Sequence, residues 1–205
     1  MARTADERHR DELLDRIVDY VLTNGFAGLS LRPLAKAVQS SPRVLLYYFG
    51  SKEKLIMEIV ARARERQRRQ FERLQQQESE TAIDACRAIW SVMSAPKSET
   101  AFRFFLEIYS LALQDPKRYP GFLRSAVVDW LSYIERPYID AGYSPAQARA
   151  IATVVLAGYR GFLLDLCATH DRARVNRAVD VWLHTLDSLP SAKELDNVID
   201  RPDAI

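Results

Sequence analysis

Apolar residues recur at steps of three and four along nearly the whole chain, and nowhere do they alternate over the length of a strand. That period places them on one side of a helix, so the chain is read as all-α. The first stripe is Leu13, Leu14, Ile17, Val18, Val21 and Leu22. Asn24-Gly25 stops it, with glycine suited to the left-handed position after a helix end. Only seven glycines and nine prolines punctuate 205 residues, and about nine helices fit between the breaks.

The helix starts are marked by capping residues. Ser30 opens a short second helix through Leu34, Ala35 and Val38, with Pro33 in its first turn, where a missing N–H costs little. Ser41-Pro42 opens a third, which runs to about Tyr48 because Gly50-Ser51 follow. Ser51 caps a long fourth helix, with Leu55, Ile56, Ile59, Val60 and Ala63 on its apolar side and charge continuing to about Arg73. Further helices are expected over Thr81–Met93 and Thr100–Gln114, and from near Pro120 to a kink or stop at Pro137. On Thr100–Gln114, Arg103, Glu107, Ser110 and Gln114 form one polar stripe on a largely buried helix. Ser144-Pro145-Ala146-Gln147 is a capping box that starts a helix reaching about Thr169. Asp171 caps the last one, and residues 190–205, polar with two prolines, read as a flexible tail.

Charge is uneven. Residues 1–70 hold fourteen Lys and Arg against nine Asp and Glu, whereas the remainder holds fifteen against eighteen. A basic front suits an anionic partner there. No apolar run approaches the ~20 residues of a membrane span. The charged N-terminus lacks the apolar core of a signal peptide, and Cys86 and Cys167 match no metal or redox spacing. These features favour a cytoplasmic protein without a membrane partner.

Two short helices joined by a tight turn and braced by a longer one describe a helix-turn-helix, whose second helix enters the DNA major groove. Ser41, Pro42 and Arg43 stand at the start of that helix, and Arg43 suits a bidentate contact to guanine. Tyr47 and Tyr48 stand at its far end, where a phenol reaches a phosphate oxygen. Lys52 begins the next helix, whose free N–H groups already favour an anion. Together they read as a phosphate clamp that sets register rather than sequence. Arg32 is a further phosphate candidate, and Phe49 reads as a plug between helices. The run Arg62, Arg64, Arg66, Arg68, Arg69 reads as a solvated face held by Glu58–Arg62 and Glu65–Arg69 pairs.

At these residues, Leu45-Leu46-Tyr47-Tyr48-Phe49-Gly50-Ser51-Lys52-Glu53-Lys54-Leu55, the chain resembles the DNA-binding domain of the TetR family of bacterial transcriptional regulators. The likeness is specific over about residues 8–60 and looser beyond. Two positions depart from it: Leu46 stands where the family often has tyrosine, and Gln39 where a turn glycine is common. The resemblance implies a helix-turn-helix domain over 1–52, a helical ligand-binding and dimerisation domain over 53–189, and the tail. It also implies a repressor that binds palindromic double-stranded operator DNA as a homodimer and is released by a small-molecule effector of unknown identity.

The simplest reading of the aromatic residues after position 80 is core. Trp90, Phe102, Phe105, Tyr109, Trp130, Tyr133, Tyr159 and Phe162, with the charged Arg103 and Glu107 among them, also suit a small-molecule pocket. For a two-fold contact the candidates are Val154, Gly158 and Gly161 on one helix with Trp182, Leu183 and Leu186 on the next. No catalytic constellation, cofactor motif or metal-ligand set stands out. Asp180 and His184 lack a third ligand. The competing reading is an α-helical small-molecule-binding protein or enzyme with a vestigial helix-turn-helix.

Overall fold

The structure, a computed structural model, describes residues 5–25, 30–75 and 81–189. Among them are nine helices and no strand: α1 Ala5–Asn24, α2 Leu31–Ala37, α3 Pro42–Phe49, α4 Lys52–Gln75, α5 Ala82–Met93, α6 Pro96–Gln114, α7 Phe122–Asp140, α8 Pro145–Thr169 and α9 Arg172–Asp187. The expected tail, 190–205, lies outside the described residues.

Most caps act as the sequence proposes. Ser41 and Asp171 accept backbone N–H groups of the first turns of α3 and α9, and Ser144 with Gln147 forms the full reciprocal box on α8; Thr81, expected as the first residue of its helix, is instead the N-cap of α5. Ser30 precedes α2 in extended geometry but makes no side-chain cap bond. Two boundaries differ from expectation. α6 starts at Pro96 rather than Thr100, since proline suits a first turn as well as it breaks an interior. Pro137 does not stop α7; the helix continues about one turn beyond it to Asp140.

The described chain packs as two compact units. The first comprises the described residues within 1–70 and 96–120, the second those within 71–95 and 121–189. In the first, Leu13, Ile17, Val18 and Val21 of α1 are fully buried, as are Leu34 and Ala35 of α2. α6 packs on α1 and turns Phe104, Ile108 and Ala112 inward. It is not the largely buried helix expected: Leu111 and Leu113 are exposed and Phe102, Phe105 and Tyr109 half-buried.

In the second unit α7 and α8 pack along much of their lengths, and α5 and α9 close on them. α8 is long and apolar enough, by length and composition, to cross a membrane, which the sequence reading did not anticipate. Here its inner side, Ile151, Ala152, Val155, Leu156, Tyr159, Leu163 and Leu166, is the core of its unit. The Tyr159 hydroxyl donates to the Cys86 carbonyl at 2.7 Å, and burial pushes that phenol's pKa far up.

Candidate nucleic-acid interface

The turn between α2 and α3 is built by backbone geometry. Ser40 N–H donates to the Ala35 carbonyl at 2.8 Å and Gln39 N–H to that of Lys36 at 3.2 Å. This pair of bonds closes a helix when the residue after its cap is left-handed. Gln39 is that residue, with φ +53°. A glutamine thus does what glycine would do more cheaply, and the turn keeps its ordinary form.

α3 is two-sided. Leu45 and Phe49 are buried, while Arg43, Leu46 and Tyr47 face outward, Leu46 at 41% and Tyr47 at 75% exposure. Ser41 Oγ accepts the Val44 N–H at 3.2 Å, so the helix starts in a fixed place and carries Arg43 in its first turn. Gly50, φ +78°, ends it, its N–H donating to the Leu46 carbonyl at 2.9 Å. Ser51 Oγ then accepts the Lys54 N–H at 3.2 Å and starts α4 with Lys52 exposed at its first position.

The two tyrosines differ. Their rings meet edge-on at 5.0 Å, but only Tyr48 turns back toward α1. Its hydroxyl donates to Asp6 Oδ1 at 2.8 Å, and that bond raises its pKa. A phosphate would compete with Asp6 for the Tyr48 hydroxyl. Phe49, with the Arg10 guanidinium 5.0 Å from its ring centroid, is the plug expected of it. Arg32 and Lys36 are exposed on α2. Arg32, Arg43, Lys52 and Tyr47 therefore all stand at the surface, and Ser41 and Pro42 are half-buried.

The arginines of α4 depart from the sequence reading. Arg62 pairs with Asp15 at 2.7 Å and Asp11 at 3.2 Å, not with Glu58, which is bound by Arg10. Arg66 bonds Asp15 at 2.9 Å and also Asp19. Asp11, Asp15 and Asp19 recur every fourth residue on α1, and Glu58, Arg62 and Arg66 do so on α4, so the two stripes lace together. The aspartates' spacing was the overlooked signal. Arg68 and Arg69 do form the local face expected, both on Glu65.

The ten aromatic and charged pocket candidates fall into three groups. Phe102, Phe105 and Tyr109 follow one another along α6 at 6.0 and 5.4 Å between ring centroids. On the same helix Arg103 pairs with Glu99, and Glu107 has its pKa raised by desolvation. Trp130 and Tyr133 meet Phe71. Trp90, Tyr159 and Phe162 pack with Trp182, and the Trp90 indole N–H donates to Asn176 at 3.1 Å.

The dimer candidates divide too. Leu183 and Leu186 are buried within their own unit. The Trp182 ring lies on Gly158, where an added Cβ would be 2.4 Å from Cζ2. Val154 and Gly161 are exposed, and among the described residues a Cβ on Gly161 would meet nothing within 4 Å.

The model of bacterial regulatory proteins of the tetR family matches residues 13–59, which run from the middle of α1 through α2 and α3 into the first two turns of α4. No curated protein matches the chain. Among solved structures, a transcriptional regulator from Rhodococcus sp. Rha1 superposes with a TM-score of 0.69 at 16% identity, covering 88% of this chain and 99% of its own. A TetR-family transcriptional regulator from Rhodococcus sp. gives 0.62 at 19% identity, covering 86% and 99%. The multidrug binding protein EbrR, complexed with imidazole, gives 0.58 at 21%, covering 90% and 98%. The helix pair and its outward face define a helix-turn-helix DNA-binding protein. Residues 13–59 carry the DNA-binding domain of the tetR family of bacterial regulatory proteins, and the solved structures show that the chain shares their all-α fold. The family binds operator DNA and small-molecule ligands, typically as dimers.

Proposed function

We propose that the chain is a repressor that holds palindromic operator DNA as a homodimer and lets go when a small-molecule effector binds. The observation that carries the DNA part is the outward face of α3, with Arg43 and Tyr47 exposed and Lys52 exposed at the next helix start. Arg43 addresses a base edge; Tyr47, Lys52 and Arg32 hold phosphates; Ser41 and Pro42 fix the helix start beside the groove. The DNA-binding part is assigned to 1–52 and the effector and dimer part to 53–189.

One recognition helix reads only a few base pairs, so useful affinity calls for two heads related by a two-fold axis. The best support for such a contact is the outer stripe of α8, Val154, Ala157, Gly161 and Leu164, all exposed, uncharged and mostly small. A self-complementary surface of this kind suits a two-fold pair. For the effector, the half-buried rings of α6 and the multidrug-binding neighbour support an aromatic, drug-sized ligand. It acts through its difference in affinity between two conformations, typically ~1–3 kcal/mol. The action is binding rather than catalysis, in the cytoplasm.

Selection of bound sites from random duplexes, followed by titration at several salt concentrations, tests this. The expected result is a palindromic site whose affinity falls steeply with salt, and compounds that release it. Binding without any preferred sequence would refute the reading.

A further inference from the structure

We propose that Leu46 reads a thymine methyl group in each operator half-site, beside the base addressed by Arg43. The inference rests on the DNA-binding reading above and narrows it to a residue and a chemical group. Leu46 lies three residues after Arg43 on α3, so the two side chains are neighbours on the helix surface. Its exposure, 41%, contrasts with the 1% of Leu45 beside it. The cap at Ser41 and the stop at Gly50 hold α3 in one place, so Leu46 keeps a constant height along a bound duplex.

Leucine neither donates nor accepts a hydrogen bond, which rules out a phosphate as its partner. In the major groove the thymine C5 methyl is the one apolar feature that a base pair presents. Facing cytosine instead, Leu46 would cover an N4 amino group and leave it unpaired, so the wrong base is disfavoured as well. Three residues of helix rise by ~4.5 Å, against ~3.4 Å per base pair. The thymine therefore falls within about two base pairs of the base read by Arg43.

The test uses the full chain and the duplex chosen by selection. Each thymine in a half-site is replaced in turn by deoxyuridine, which removes one methyl and alters no hydrogen bond. Wild-type protein should lose about fourfold at one position in each half-site, the worth of one buried methyl at ~0.8 kcal/mol. Leu46→Ala, a change at a partly exposed position, should bind the thymine and deoxyuridine duplexes alike. If no position distinguishes wild type from Leu46→Ala on a site that is still sequence-specific, the assignment to Leu46 is wrong and the DNA-binding reading stands. If selection yields no preferred duplex, that underlying reading fails and takes the inference with it.

Discussion

α3 and α8 have equally well-packed inner sides and opposite outer ones. Leu45 and Phe49 on α3 are as deeply buried as Val155 and Tyr159 on α8. Outward, α3 shows a guanidinium, a phenol and a branched apolar side chain; α8 shows Val154, Ala157, Gly161 and Leu164 without a charge. Burial therefore says nothing about partners, and the chemistry of the far side says most of it. A face that meets a polyanion needs donors and positive charge. A face that meets its own copy gains from small apolar residues, because each contact is made twice.

The comparison is most severely tested on α8. Gly161→Glu puts a charge into the proposed two-fold contact twice over. We expect dimerisation to weaken by at least ~100-fold by sedimentation, since unpaired buried charge costs several kcal/mol. Specific DNA binding should fall with it while the thermal transition of the protomer remains. Gly158→Val is the control: its side chain collides with Trp182 in the same protomer, and stability should drop by about 2 kcal/mol. A stable monomer from Gly158→Val together with an intact dimer from Gly161→Glu would reverse the roles given to the two glycines.

On α3, Arg43→Ala should blur the preference at one base position per half-site by about 1–3 kcal/mol, read by competition among single-base variants of the site. Lys52→Ala should weaken all sequences equally and flatten the log–log salt slope by roughly one unit per half-site. A changed base preference on losing Lys52 would contradict a phosphate role.

Smaller effects separate the two tyrosines. Tyr47→Phe removes an exposed hydroxyl and should cost about 0.5–1.5 kcal/mol of binding. Tyr48→Phe, whose hydroxyl is already engaged by Asp6, should cost less in a filter-binding titration; equal losses would place both phenols on the DNA. The smallest change is expected from Gln39→Gly. It relieves a left-handed non-glycine residue but adds freedom to the unfolded chain, so denaturation should show a gain below about 1 kcal/mol.

What could be read from sequence was local. Ser41-Pro42, Ser144 with Gln147 and Asp171 announce helix starts through groups three residues apart, and each holds in the structure. The outward placement of Arg43, Tyr47 and Lys52 followed from the same short-range periodicity. What escaped depends on partners far away in the chain. Arg62 prefers Asp15, 47 residues distant, over a glutamate one turn away, and Tyr48 is engaged by Asp6, 42 residues distant. The role of Gly158 could not be read from its neighbours, because Trp182 fills the space above it.

Those two glycines, three positions apart on one helix, should have different histories. At 158 the constraint is imposed by the protomer itself, so any descendant that keeps the indole at 182 must keep a residue without a side chain there. At 161, in the proposed two-fold contact, the constraint comes from whatever lies opposite. Substitutions there would be tolerated in solitude and judged only in company, which makes this position one where paralogous copies within a cell could drift apart and cease to mix.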